Sequence, residues 1–185
     1  MPQMDSAKKV DIDALKAQID AEIAARLLVE ADFASHIHRR GFSIGALKLL
    51  VNMDVASEVV EMPQLYRLPG APAGVKGLAN RYGRVVPVID LPAVFGIKHI
   101  PAVTEWLLVC GRGDEAVGII IDSLPERKKF IQDDEISLSE VTHPIASYAR
   151  AAYVEWQDHW IDLDTEALFT AVLQPEHSPN LTLHS

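Results

Sequence analysis

The stretch GVKGLANRYGRVVPVIDLPAVFG, residues 74–96, decides the fold of this chain. It opens with a small apolar run at residues 75–79, and Asn80 and Gly83 then supply turn residues. A run rich in β-branched residues follows at 84–91, and two such runs joined by a tight turn predict a β-hairpin. Because apolar residues occupy both faces of the second run, we expect that strand to be covered on both sides, as in a small barrel.

Pro87 and Asp90 are expected to limit the hydrogen bonding and the length of this second strand. Proline has no N–H group to donate, so Pro87 is expected to face an edge, a bulge or an opening in the barrel. Asp90, followed by Pro92, predicts the capped start of a short helix, because a carboxylate accepts hydrogen bonds from the free N–H groups of a first turn. A lone carboxylate without a neighbouring base is more typical of a helix cap than of a catalytic acid.

Composition narrows the class of protein. A chain of 185 residues that is 49% apolar can bury a core in one domain, built as one body or as two lobes. Seventeen Lys and Arg against 26 Asp and Glu give a formal charge of −9, which repels phosphate groups and predicts that nucleic acid is not a partner. No signal peptide and no apolar run of membrane-spanning length is present, so we expect a cytoplasmic protein without direct membrane insertion.

The residue types that carry chemistry do not assemble into a predicted active site. Cys110 is the single cysteine and lies in an apolar run, which is typical of a buried core residue. His36 and His38 lack a nearby cysteine or carboxylate to complete a metal site, so we favour a structural role. Asp162 and Asp164 are interpreted as a strand end and a helix cap. No nucleophile elbow or phosphate-binding loop is present, so the sequence predicts neither enzymatic activity nor a cofactor or metal.

An N-terminal helix is predicted over residues 11–35. Its larger apolar residues recur at spacings of three and four: Ile12, Leu15, Ile19, Ile23 and Leu27. This period is typical of an amphipathic helix, with Asp11 or Asp13 as its cap. Because the stripe is narrow and the period is short for a coiled coil, we expect the helix to dock on the protein's own core rather than to self-associate.

Short apolar runs separated by turn residues follow from residue 41 and predict antiparallel strands of a small barrel or sandwich. These runs are residues 41–47, 48–53, 59–62, 106–110, 116–122, 149–156 and 160–163. Residues 54–58 are predicted to form a single helical turn, residues 63–74 an irregular loop, and residues 126–131 a charged edge strand. His159 is expected in a turn, and a closing helix is expected from Asp164 or Thr165 to Leu173.

Six short sequence motifs follow one another along the chain. They are Ser57-Glu-Val-Val-Glu61, Leu68-Pro-Gly-Ala-Pro72, Val75-Lys-Gly-Leu-Ala-Asn80, Gly83-Arg-Val-Val-Pro-Val-Ile-Asp-Leu91, Phe95-Gly96 and Val117-Gly-Ile-Ile-Ile-Asp122. Their order and spacing resemble the CheW family of chemotaxis coupling proteins over roughly residues 41–173. The N-terminal helical extension and the residue sequence of the central hairpin are more similar to the PilI type. Proteins of this type belong to type IV pilus chemosensory systems.

The resemblance implies a mainly β fold of two SH3-like five-stranded barrels, separated by an apolar groove, with an N-terminal amphipathic helix and a C-terminal helix. The middle strands form one barrel, and the two ends of the chain contribute to the other. The implied organisation is an N-terminal helical extension at residues 1–39, a CheW-like domain at 40–174 and a flexible tail at 175–185.

The resemblance also implies a function without catalysis. Members of the family link methyl-accepting chemoreceptors to a CheA-type histidine kinase, so the implied partners are the regulatory domain of that kinase and the cytoplasmic tip of the receptor. The implied pathway is type IV pilus (twitching) motility or chemotaxis. The alternative is a divergent CheW-fold binding module that serves another signalling partner outside receptor arrays.

The resemblance places six candidate protein-binding residues. They are Met53, Ala56, Glu58, Asn80, Arg81 and Tyr82. The family usually has Asn-Leu-Arg-Gly at the signature turn, whereas this chain has Asn80-Arg-Tyr-Gly83, so Tyr82 replaces the arginine expected to pair with Glu58. Arg81 lies one position earlier and is expected to point to the other strand face. Glu58 is then expected to be solvated, hydrogen-bonded to the Tyr82 hydroxyl, or paired with Arg84.

Overall fold

A computed structural model describes residues 12–34 and 36–174 of the chain. The chain divides into two units between Ile37 and His38. The predicted tail at residues 175–185 and the predicted cap Asp11 lie outside the described residues. The boundaries predicted at residues 39 and 174 stay predictions.

The first unit contains the predicted N-terminal helix, α1 (Ile12–Ala34), in which Asp13 lies inside the first turn and is therefore not the cap. The apolar residues of α1 are not confined to one face. Arg26 follows Ile19, and Glu30 follows Ile23, at a spacing of seven residues, so charged side chains share the face of the predicted stripe. The described side chains of α1 from Asp13 to Asp32 are exposed.

The rest of the described chain is mainly β, as predicted. In chain order the strands are β1 (Ile37–Ile44), β2 (Leu47–Asn52), β3 (Ala56–Glu61), β4 (Leu65–Tyr66), β5 (Val75–Arg81), β6 (Arg84–Ile89), β7 (Trp106–Cys110), β8 (Val117–Ile121), β9 (Glu126–Phe130), β10 (Glu135–Ile136), β11 (Ala149–Glu155) and β12 (Asp158–Leu163). The helices that follow α1 are α2 (Leu91–Phe95) and α3 (Thr165–Leu173), and short 3-10 helices cover Gly113–Glu115, Gln132–Asp134, Leu138–Glu140 and Pro144–Tyr148.

The strands form two six-stranded sheets. Sheet A has the order β10-β11-β12-β2-β1-β9, and sheet B has the order β3-β7-β8-β6-β5-β4. We call the parts of the chain built on them subdomain A and subdomain B. Each sheet has five strands of at least five residues and one two-residue strand at its edge, β10 or β4. The middle strands build subdomain B and the two ends of the chain build subdomain A, which confirms the predicted arrangement.

Strands β7 and β8 are buried on both faces because sheet B lies between two apolar cores. Along β7, Leu107 and Val109 enter a core inside subdomain B. Leu108 and Cys110 alternate with them and enter a second core. The second core combines residues from both sheets and from α3: Phe42, Leu49, Val51, Ile89, Ile119, Ile121, Ile161, Leu163, Leu168 and Val172 are among its members. This shared core joins the two subdomains.

The central hairpin forms as predicted, since β5 and β6 pair antiparallel from Val75 opposite Ile89 to Arg81 opposite Arg84. Strand β6 also pairs with β8, but only at Val88 and Ile89. Pro87 therefore lies just outside this second ladder, as its missing N–H requires.

The predicted cap at Asp90 is confirmed. Its Oδ1 accepts a hydrogen bond from the N–H of Ala93 at 3.3 Å, and Pro92 lies in the first turn of α2. Gly96 ends this helix in the left-handed conformation, at φ +63°, where a side chain would be strained. The second predicted cap, Asp164, likewise accepts from the N–H of Ala167 at the start of α3.

Two local predictions are wrong. Residues 54–58 do not form a helical turn: the N–H of Val55 closes a turn onto the carbonyl of Asn52, and β3 then begins because Ala56 pairs with Cys110. The connection between β11 and β12 is also shorter than predicted, because Trp156 adopts a positive φ of 60° and β12 starts at Asp158. His159 consequently lies in a strand and not in a turn, although it is exposed.

The predicted edge strand is confirmed, because β9 lies at the end of sheet A. The predicted loop at residues 63–74 contains the two-residue strand β4 and is otherwise without regular structure. Among the described residues, no helix combines the length and the apolar character needed to cross a membrane.

Candidate functional site

The turn of the central hairpin holds an aromatic side chain in solvent. Tyr82 and Gly83 have φ values of +52° and +80°, which is the backbone geometry of a tight hairpin turn. Asn80 stabilises this turn, because its Oδ1 accepts a hydrogen bond from the N–H of Gly83 at 3.0 Å. A non-glycine residue pays a conformational penalty at such a φ, and the Tyr82 side chain is nevertheless 88% exposed. Its ring is therefore available to a partner.

Glu58 binds two of the predicted site residues. Its Oε1 is paired with the Nη2 of Arg81 and accepts a second hydrogen bond from the Tyr82 hydroxyl at 3.3 Å. The guanidinium carbon of Arg81 also lies 4.9 Å from the centre of the Tyr82 ring. Of the three predicted states of Glu58, the hydrogen bond to Tyr82 is found, and Arg81 rather than Arg84 supplies the charge.

The expectation that Arg81 points away from Glu58 was wrong for two geometric reasons. Arg81 is the last residue of β5 and precedes a residue with positive φ, so the strict alternation of strand side chains does not extend through it. Strands β3 and β5 are also not neighbours in sheet B, so the ion pair joins parts of the sheet that strand order alone does not place in contact.

The Glu58–Arg81 pair is half-buried. The side chains of Glu58 and Arg81 are 31% and 22% exposed, so water screens their attraction and the pair contributes at most about 1 kcal/mol to folding. We call Glu58, Asn80, Arg81 and Tyr82 the hairpin cluster. It combines an arginine, a carboxylate and an exposed tyrosine on one surface of subdomain B, and arginine and tyrosine are enriched at protein interfaces.

The two remaining predicted site residues lie before this cluster in the chain. Met53 is in the turn between β2 and β3 and is half-buried. Ala56 opens β3, pairs with Cys110 and packs against the shared core. Between them, the carbonyl of Val55 accepts a hydrogen bond from the N–H of Gly111 at 2.9 Å. Met53 and Ala56 therefore flank Val55, which is a residue of a neighbouring groove.

This groove runs between α3 and the ends of strands β7 and β8. It has a volume of about 600 Å³. Its apolar lining comes from both subdomains: Val55, Cys110, Val117, Phe169 and Leu173. Glu115 and Glu166 add carboxylates to it. A groove between the subdomains was expected from the resemblance, but none of these residues was assigned to it. The four-residue spacing of Phe169 and Leu173 on the closing helix was the available signal.

Cys110 is one of the lining residues of this groove, and it is buried. Burial raises the pKa of its thiol to about 12, because the thiolate is not stabilised in an apolar environment. At neutral pH it is a thiol, as expected of a core cysteine. Within residues 12–34 and 36–174, no three His, Cys, Asp or Glu side chains are grouped in a way that could hold a metal ion. His38 lies on β1, and His36 precedes that strand with its Nδ1 2.6 Å from the carbonyl of Asp32.

A second arginine–carboxylate pair, which was not predicted from the sequence, lies in subdomain A. The Nε of Arg39, on β1, donates to Oδ2 of Asp162, on β12, at 2.7 Å. Asp162 is fully buried, and burial raises the pKa of its carboxyl group, an effect that the hydrogen bond and charge of Arg39 oppose. The two residues are 123 positions apart, so nothing in the local sequence pointed to the pair. Its burial indicates a structural role.

Comparison with known proteins agrees with this geometry. The sequence model of the CheW-like domain matches residues 41–173. Protein PilI of Pseudomonas aeruginosa is 31% identical over 125 residues, which cover 67% of this chain and 68% of that protein. Chemotaxis protein CheW of Treponema pallidum is 26% identical over 136 residues, which cover 70% of this chain and 80% of that protein.

A solved structure supports the fold. The crystal structure of the scaffolding protein TtCheW from Thermoanaerobacter tengcongensis matches with a TM-score of 0.62 at 20% identity, covering 68% of this chain and 82% of that chain. The predicted resemblance is thus confirmed at the level of sequence and of fold. Because the family match spans both sheets and the closing helix, this chain belongs to the CheW-like family of chemotaxis coupling scaffolds.

Proposed function

We propose that this protein is a non-catalytic coupling protein that links methyl-accepting chemoreceptors to a CheA-type histidine kinase. The similarity to PilI favours a type IV pilus chemosensory pathway over another chemotaxis pathway. The observation that carries the proposal is an apolar groove, open to solvent, at the junction of two subdomains. A location in the cytoplasm stays a prediction from the sequence.

The groove suits the cytoplasmic tip of a receptor, which is helical in this family. Val117 and Phe169 both line the groove: Val117 lies on β8 of sheet B, and Phe169 lies on α3, which follows the last strand of sheet A. An amphipathic helix binds by placing its apolar face into such a groove. Glu115 and Glu166 favour a helix that carries lysine or arginine beside its apolar residues.

The hairpin cluster suits the regulatory domain of the kinase. Tyr82 offers a large exposed ring, and the half-buried Arg81 offers a charge that is already oriented by Glu58. Aromatic and arginine side chains of this kind dominate the affinity of many protein interfaces. Met53 and Ala56 lie beside Val55 of the groove, so we assign them to the receptor side of the surface.

Calorimetric titration of the purified chain with each partner separately tests this assignment. We expect Arg81→Glu to weaken binding of the kinase regulatory domain by about tenfold or more, because it places two carboxylates together and removes the arginine. We expect Leu173→Arg to weaken binding of the receptor tip and to leave kinase binding unchanged. Trp156→Ala is the matched control, because Trp156 is an exposed aromatic residue at a hairpin turn of the other subdomain.

A wild-type chain that binds neither partner would contradict the proposal. The second candidate function, a CheW-fold module that serves another signalling protein, would then be favoured. The observation in its favour is Tyr82, which stands where the family usually has an arginine. A genomic neighbourhood without receptor and kinase genes would support it further.

A further inference from the structure

Helix α1 presents apolar side chains that the coupling function does not use. Leu15 and Ile19 are each 48% exposed, and Ile23 is 51% exposed. The helix has 23 residues, so it is about 34 Å long and contains roughly three heptads. An amphipathic or apolar-rich helix in a protein gains most of its stability from packing its apolar side chains against a partner surface.

A heptad register can be assigned to α1. Counting from Ile12, the a and d positions are Ile12, Leu15, Ile19, Glu22, Arg26, Val29 and Phe33. Five of the seven are apolar, and the two charged residues occupy the centre of the helix. The sequence pattern favoured docking over self-association because the stripe is narrow and its period is short, and that reasoning did not use these two charges. The position of Glu22 and Arg26 nevertheless supports pairing with another helix, because a polar residue at an a or d position sets the register and orientation of helix pairs.

We propose that α1 pairs antiparallel with α1 of a second copy of the chain and so makes the protein a dimer. In the antiparallel register centred on the helix, Glu22 of each copy lies opposite Arg26 of the other. The same register places Lys16 of each copy beside Glu30 of the other. A parallel pair would instead set Glu22 against Glu22 and Arg26 against Arg26, which is repulsive.

Four of the five apolar seam positions follow the same two-fold symmetry, and Ile12 falls opposite position 36, beyond the end of α1. The antiparallel register sets Ile19 opposite Val29, sets position 15 opposite position 33, and brings Ile23 near its own copy at the axis. An isologous interface requires such self-complementarity of one surface, and two-fold dimers are the most common oligomers. Because one seam layer is ionic, the pair is expected to be weaker than a fully apolar one.

Sedimentation velocity of the full chain over a range of concentrations tests the proposal. We expect the wild type to dimerise, and we expect Glu22→Arg alone and Arg26→Glu alone to be monomeric, because each sets like charges together in two symmetric layers. Asp20→Arg is the matched control: it makes the same charge change two residues away from Glu22, off the seam, and should still dimerise.

Mixing the two single variants provides the decisive measurement. In the mixture, the arginine introduced by Glu22→Arg in one copy faces the glutamate introduced by Arg26→Glu in the other, so a heterodimer is expected where neither variant dimerises alone. Mixing cannot repair an ion pair within one helix, so restoration requires contact between copies. A mixture that stays monomeric would overturn the proposal, as would a monomeric wild type or a dimer that Glu22→Arg leaves intact.

Discussion

The Arg39–Asp162 pair of subdomain A and the Glu58–Arg81 pair of subdomain B have the same chemistry but differ in burial. In subdomain A, the side chain of Asp162 is 1% exposed and is bound by Arg39. In subdomain B, the side chain of Glu58 is 31% exposed and is bound by Arg81. The same chemistry therefore serves two purposes. A buried pair must stay intact for the fold to be stable, whereas a half-exposed pair can be shared with a partner at little cost to folding.

The hairpin turns of the two subdomains extend the comparison. Tyr82 in subdomain B and Trp156 in subdomain A are the non-glycine residues with positive φ in the described part of the chain, and both rings are in solvent. Tyr82 is tied to Glu58, whereas Glu155, which precedes Trp156, is bound by Lys128 at 2.6 Å. Each subdomain therefore holds a strained aromatic residue at a turn, but only the turn of subdomain B carries the hairpin cluster.

The largest expected effect tests the buried pair. Replacement of Arg39 by leucine leaves the Asp162 carboxylate buried without its cation, and we expect the free energy of unfolding at neutral pH to fall by about 3–5 kcal/mol. Denaturant unfolding of the purified variant measures this change. A loss below about 1 kcal/mol would contradict the comparison, because the buried pair would then contribute no more to stability than the half-exposed pair.

The pH dependence of the same variant sharpens the test. Burial already raises the pKa of Asp162, and loss of Arg39 raises this pKa further. The folded state then binds a proton at Asp162 more tightly than the unfolded state, so the contribution of Asp162 to stability is greatest at acid pH and is lost as the pH rises through the raised pKa. We expect the deficit of Arg39→Leu to shrink as the pH is lowered. Arg39→Leu with Asp162→Asn is the control, and it should lack this part of the pH dependence.

The half-exposed pair should behave differently. We expect Glu58→Ala to lower the free energy of unfolding by at most about 1 kcal/mol, because solvent screens the pair. Its effect should appear instead in the affinity for the kinase regulatory domain. A double-mutant cycle with Arg81→Ala isolates the contribution of the pair to each quantity. A stability loss as large as that of Arg39→Leu would contradict the comparison.

The smallest expected effect concerns the two strained turns. Glycine tolerates positive φ, whereas alanine retains the Cβ atom that causes the strain. We therefore expect Tyr82→Gly to be more stable than Tyr82→Ala by about 1 kcal/mol, and Trp156→Gly to exceed Trp156→Ala similarly. Thermal or denaturant unfolding of the four variants measures the differences. Glycine variants that are less stable than the alanine variants would show that the turns are not strained.

Local features of the fold were predictable because neighbouring residues decide them. Strand β7 has the predicted bounds, Trp106–Cys110, since a continuous apolar run between turn residues specifies a buried strand. Asp90 and Asp164 cap helices as predicted, because each accepts a hydrogen bond from a backbone N–H three residues later. The turn at residues 53–55 was missed because the pairing of Ala56 with Cys110, far along the chain, overrides the local helical preference.

The candidate site was predictable only in part. The resemblance placed Glu58 and Tyr82 together, and the structure contains a hydrogen bond between them. The role of Arg81 was not predictable from strand alternation, because the turn geometry at Tyr82 and the approach of β3 to β5 decide where its guanidinium lies.

The amino-acid sequence by itself determined the positions of most strands, the helix caps and the exposed turn of the central hairpin, because these depend on patterns of neighbouring residues. It also determined the family, because six short motifs come in family order and spacing between Ser57 and Asp122. Tertiary structure alone decided which charges meet and where the groove opens. Arg39 donates a hydrogen bond to Asp162, and Val55 and Phe169 line one groove, although each pair is separated by more than one hundred residues in the sequence. Such contacts depend on how two sheets pack around one shared core, and packing couples residues that no local pattern connects.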